Sequence, residues 1–107
     1  MHGDKMNKLV RDGMVAVLYS PDYGSGWYTW NADHPEILFD SAIVQLVEED
    51  KWDELETYVI LKYPKLNVGG LGELRIAWIP VGTMFRINEY DGAESIELKD
   101  DVDWFTA

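Results

Sequence analysis

A chain of 107 residues with 47% hydrophobic content, five Trp, six Tyr and three Phe can build one domain with a real core, which excludes intrinsic disorder. Twenty acids against nine Lys and Arg give a formal net charge of −11, which disfavours direct binding to nucleic acid and to anionic membranes. There is no cysteine, so disulfides, thiolate nucleophiles and cysteine-ligated zinc are excluded and a reducing compartment is favoured.

Residues 1–107 read as a single domain, with 1–6 expected to form a flexible tail. The opening "MHGDKMNKLVRDG" has charge but no hydrophobic stretch behind it, unlike a signal peptide. No apolar run reaches the roughly 20 residues needed to cross a bilayer, so the expected location is cytoplasmic. "MVAVLYS" (14–20) is rich in β-branched and aromatic residues and stops at Pro21, as a buried strand does. "GWYTWN" alternates Trp27 and Thr29 with Tyr28 and Trp30, which predicts a second strand and a hairpin through "PDYGS".

The period then changes. "HPEILF" predicts one helical turn, with Pro35 at the first position and Glu36 at the positive end of the dipole. Asp40 is a good N-cap for "SAIVQLVEEDK", where Ile43, Val44, Leu46 and Val47 form a helical stripe. Trp52, Leu55, Tyr58 and Val59 form a second stripe, limited by Pro64. "NVGGLGE" reads as a glycine loop, and "LRIAWIP", "TMFRINEY" and "SIELKD" read as three strands.

Asp91-Gly92 is a preferred two-residue turn, because both positions need positive φ. It sets Tyr90 opposite Ala93, Ile87 opposite Ile96 and Phe85 opposite Leu98, apolar pairs expected on one face. Arg86 then meets Glu97, and Asn88 meets Ser95, on the other. An even loop at "IPVGT" would align Leu74, Ile76 and Trp78 with Phe85 and Ile87. The expected fold is therefore α+β: an antiparallel sheet of about four or five strands. Two main helices are inserted between an N-terminal strand or hairpin and a C-terminal three-stranded meander.

Few motifs carry chemistry. "GSG" lacks the third glycine and the helix start of a dinucleotide fingerprint, and "GGLG" lacks the Lys-Ser or Lys-Thr of a phosphate loop. Asp33, His34 and Glu36 sit at a helix start where successive side chains diverge, which argues against a shared metal. "KDDVDW" lacks the glycine and closing glutamate of a calcium loop. No catalytic residue, metal site or cofactor is assigned. Six acids in "EEDKWDELE" and seven between Glu89 and Asp103 read as solvated faces, or as a surface for a basic partner.

The aromatic segment is the remaining candidate. Buried Trp and Tyr need partners for N–H and O–H, and Asp22, Thr29 and Asn31 are near enough in sequence to supply them. Alternation sends aromatics to both faces of one short strand, so one set is expected to pack on the core. The other would line a groove beside Pro21 and Tyr23, with Gly24 and Gly26 permitting a tight turn. Tyr23, Trp27, Tyr28 and Trp30 are the candidate binding residues for a protein or small ligand.

Three blocks, "NKLVRDGMVAVLYSPDYGSGWYTWN", "HPEILFDSAIVQLVEED" and "GTMFRINEYDGAESIEL", resemble a group of small bacterial and bacteriophage proteins. That group shares a "SP-x-x-G-x-G-W-x-T-W" loop and a late "EYDG-x-E" hairpin. The resemblance covers residues 7 to 103, implies a cytoplasmic, phage-derived protein, and brings no assigned activity. "NKLVRD" is also similar to the start of some MazG-like nucleotide pyrophosphohydrolases, but their paired Glu-x-x-Glu helices have no second counterpart here. The sequence thus reads as a small acidic interaction protein without catalytic function. The alternatives are an inhibitor that mimics nucleic acid toward a basic protein, and a small enzyme.

Overall fold

The computed structural model describes residues 8–23 and 26–98. Expectations for the first six residues, for Gly24 and for the carboxylates at 100, 101 and 103 lie outside the described residues.

The chain forms an α+β domain. Strands β1 (Val10–Arg11), β2 (Met14–Tyr19) and β3 (Arg75–Pro80) make an antiparallel three-stranded sheet with β2 in the centre. Strands β4 (Phe85–Tyr90) and β5 (Ala93–Leu98) make a separate two-stranded ribbon. Helices α1 (Ser41–Glu48) and α2 (Trp52–Lys62) lie between the two halves in sequence.

Two turns are set by the same pair of residue types. Asp12-Gly13 joins β1 to β2 and Asp91-Gly92 joins β4 to β5, with all four residues at positive φ between 52° and 89°. The last hairpin has the expected register: Phe85 with Leu98, Arg86 with Glu97, Ile87 with Ile96, Asn88 with Ser95, Tyr90 with Ala93. Arg86 Nε lies 2.8 Å from Glu97 Oε1. One detail differs. Pairing parity puts Tyr90 and Ala93 on the face of Arg86, whereas Glu89 and Glu94 fall in line with the apolar Phe85, Ile87, Ile96 and Leu98.

The C-terminal strands do not form a meander. β3 pairs along its whole length with β2, from Met14 opposite Pro80 to Tyr19 opposite Arg75. The Pro80–Thr83 turn explains the break. Thr83 N donates to Pro80 O at 3.0 Å and Gly82 has φ 87°, an unprimed geometry whose twist splays strands instead of pairing them.

Asp40 caps α1 as expected, its Oδ1 accepting from the amides of Ala42 (2.9 Å) and Ile43 (3.2 Å). The residues before it, Pro35–Leu38, form a short 3-10 turn. Ile43 and Val44 of α1 and Leu55 and Val59 of α2 pack with Ala16, Leu18, Trp27, Ile37 and Leu74 in the main core. A second cluster, Val17, Leu38, Phe39 and Ile79, receives Phe85, Ile87, Ile96 and Leu98 from the ribbon. The four ribbon side chains are only half-buried, so each contributes less than the roughly 1.5–3 kcal/mol of full burial, and together they hold the ribbon against the sheet. Among the described residues, no helix is long and apolar enough to cross a membrane.

Candidate functional site

Residues 20–23 and 26–31 are not strand. They run through bends and a turn in which Asn31 N donates to Tyr28 O at 2.9 Å. Strand alternation therefore does not sort its aromatics. Trp27 is fully buried in the main core and donates its indole N–H to Ile37 O at 3.0 Å. Tyr28, its sequence neighbour, also packs inward, against the second cluster. Trp30 is 42% exposed and Tyr23 is 71% exposed. Tyr23 meets Tyr90 of the hairpin edge to face, with ring centroids 6.3 Å apart. The structure thus separates the four candidates into Trp27 and Tyr28 inside, Tyr23 and Trp30 outside.

One carboxylate shapes this loop. Glu94 is only 3% exposed. Its Oε1 accepts from Ser20 N at 2.9 Å, and its Oε2 accepts from Trp27 N (2.7 Å), Thr29 N (2.9 Å) and Thr29 Oγ1 (2.8 Å). Its own amide donates to Ser20 O at 2.7 Å. A buried carboxylate is stable only when its lone pairs are filled, and charge-assisted bonds from amides are stronger than neutral ones. Gly26 is required beside it. A Cβ there would lie 2.5 Å from Thr29 Oγ1, 2.9 Å from Trp30 Cδ1 and 3.0 Å from Glu94 Oε2. Gly26 thus serves close packing against the carboxylate and not an open groove.

Asn31 fastens the far end of the loop. Its Nδ2 donates to Trp27 O (2.8 Å) and Asn67 O (3.0 Å), and its Oδ1 accepts from Asn67 N (2.8 Å). The expected partners of the aromatics therefore act elsewhere: Thr29 on Glu94, Asn31 on backbone. Glu94 itself escapes a reading by composition, where it counts as one more surface acid. Its signal is position, since a carboxylate in register with Ile96 and Leu98 faces the core and must find donors there.

A second buried carboxylate organises the helices. Asp40, 4% exposed, adds to its capping bonds hydrogen bonds from Tyr63 OH (2.7 Å), Tyr58 OH (2.8 Å) and Lys62 Nζ (3.1 Å), all to Oδ2. Lys62 Nζ also donates to Tyr58 OH at 3.0 Å. Burial pushes the Asp40 carboxyl upward, but the bonds from Tyr63, Tyr58 and Lys62 and the Ile43 amide outweigh it and leave it below the ordinary range. Burial and the adjacent Asp40 charge push the Tyr63 hydroxyl well up. The Tyr58 hydroxyl and Asp40 hold the Lys62 ammonium well above its ordinary value.

Beside this cluster lies a cleft of about 400 Å³ lined by His34, Glu36, Lys62, Tyr63, Pro64 and Lys65. His34 and Glu36 face each other there at 3.7 Å, and Asp33 takes no part in the lining. Among the described residues, no group of three or more His, Asp or Glu converges as metal ligands. No family model, curated protein or solved structure matches this chain.

Proposed function

We propose that this protein is a small acidic interaction domain without catalytic function, and that its contact surface centres on the Tyr23–Tyr90 pair, with Trp30 exposed on the same loop as Tyr23. The observation that carries this reading is the Glu94 clamp. Three amide bonds and one hydroxyl bond to a buried carboxylate hold a loop whose exposed side chains include Tyr23 and Trp30. Rigid aromatics that lose little entropy on contact are the usual anchors of protein interfaces. Trp27 and Tyr28 then act as the foot of the loop and not as contacts.

The Tyr58 hydroxyl and Asp40 raise Lys62, and burial and Asp40 raise Tyr63, so neither side chain is poised as a nucleophile or general base near neutral pH. Mimicry of nucleic acid is less well supported. Arg11 grips Glu48 with two bonds of 2.7 and 2.9 Å, Lys51 lies 3.2 Å from Glu49, and Arg86 engages Glu97, which interrupts any phosphate-like row. A cytoplasmic, phage-derived setting belongs to the same proposal, on the resemblance of the loop and hairpin motifs.

The test is affinity capture from the source lysate with the wild-type protein and a Tyr23→Ala/Tyr90→Ala variant. Both rings are more than two-thirds exposed, at 71% and 76%, so the variant should unfold within about 1 kcal/mol of wild type. A partner held by wild type and lost by the variant supports the reading. A partner held equally by both overturns it.

A further inference from the structure

The cleft beside α2 differs in charge from the rest of the molecule. The chain has more than two acids for each base, yet this cleft gathers two lysines, a histidine and one glutamate. We infer that it is a binding site for a small monoanion with a flat apolar body, of the aromatic carboxylate class.

Three features of the lining point to that chemistry. The first is a fixed cation. Lys62 Nζ is held by Asp40 and Tyr58, and an ammonium has three donors, so one N–H is left to meet a ligand oxygen. Asp40 offsets much of this charge from the buried side of the pair, so Lys62 offers the cleft a directed N–H donor and Lys65 supplies the uncompensated charge. The second is an exposed cation: Lys65 has no ion-pair partner among the described residues and lines the same space.

The third feature is an apolar wall. The rings of His34 and Tyr63 meet edge to face at 6.4 Å, and Pro64 and the lysine stems complete the lining. A volume of about 400 Å³ falls in the range of small-molecule sites. Glu36 sets the charge limit. Its carboxylate stands in the lining next to His34, so a dianion such as a phosphate monoester meets about twice the repulsion that a carboxylate meets there. This site is independent of the Tyr23–Tyr90 pair.

The experiment is an amide-shift titration of the full chain with benzoate, using acetate as a charge without a ring, benzyl alcohol as a ring without a charge, and phenyl phosphate as the dianion. Benzoate is expected to give saturable shifts at His34, Tyr63 and Lys65, with each of the other three probes at least about fivefold weaker. Lys65→Gln should weaken benzoate by about fivefold at an unchanged urea midpoint, since Lys65 supports no part of the fold. Absence of saturable shifts with benzoate would overturn the assignment. So would benzyl alcohol or phenyl phosphate binding as tightly, or an unchanged affinity in Lys65→Gln.

Discussion

Glu94 and Asp40 are both buried carboxylates, and they are satisfied in opposite ways. Asp40 takes two backbone amides, but its other donors are the side chains of Tyr58, Lys62 and Tyr63. Among the described residues Glu94 takes three backbone amides and one hydroxyl, from Ser20, Trp27 and Thr29, and none of these partners is a cation. A carboxylate that uses side chains ties them down: the polar groups of Tyr58, Lys62 and Tyr63 turn toward Asp40 and hold the helix pair, with one Lys62 N–H left over. A carboxylate that uses backbone fixes the shape of a loop and leaves its side chains uncommitted. That is why Tyr23 and Trp30 can point outward from a segment that is itself tightly held.

The comparison breaks most sharply at Glu94. Glu94→Ala leaves the amides of Ser20, Trp27 and Thr29 without their acceptor, and the expected loss is about 3–5 kcal/mol in urea unfolding. Glu94→Gln should fall between this variant and wild type, because it keeps one acceptor oxygen but turns an NH₂ toward donors. A loss below about 1 kcal/mol for Glu94→Ala would show that the loop is held by its apolar foot alone.

Asp40 sharpens the contrast through pH. Its folded carboxyl lies below its unfolded value, so its contribution is complete above about pH 4 and is lost as pH falls through the folded value. Tyr63 and Lys62 are raised in the fold, so their contribution is complete below about pH 10 and is lost as pH rises beyond it. Asp40→Asn is expected to cost about 2 kcal/mol at neutral pH and to flatten both limbs of the stability profile. Unchanged limbs in Asp40→Asn would mean that other groups set the pH dependence.

The smallest effect concerns the turn that delivers Glu94 to its place. Gly92 has φ 89°, so Gly92→Val should cost about 1 kcal/mol or more, while Ala93→Val should be nearly neutral. Equal unfolding midpoints for the two would show that the turn tolerates a side chain there.

Much of this architecture was legible locally. The Asp91-Gly92 turn fixed a register that the whole ribbon obeys, and Asp40 announced the start of α1 three residues before its first buried position. Asp12-Gly13 carries the same turn signal, but the strand before it is only two residues long, too short to show alternation. What the sequence concealed is non-local. "GWYTWN" has a strand's period, yet Ser20, Trp27 and Thr29 give their amides to a side chain and so cannot give them to a ladder. The departure of β4 from β3 rests on one unprimed turn, and β3 keeps its second edge unpaired among the described strands. Tyr23 and Trp30 were nameable as aromatics, but which of the four would be outside depended on a carboxylate more than 60 residues away.

The bond between Ser20 and Glu94 spans 74 residues of chain. As the protein emerges from the ribosome, α1, α2 and the β1–β2 hairpin have their partners nearby, but the loop at 20–31 does not. Its closing contacts are of high sequence separation, and such contacts are the slow ones to form. The segment richest in exposed aromatic surface therefore takes its final shape only after residue 94 has been made. Until then its tyrosines and tryptophans are open to chaperones and to other nascent chains.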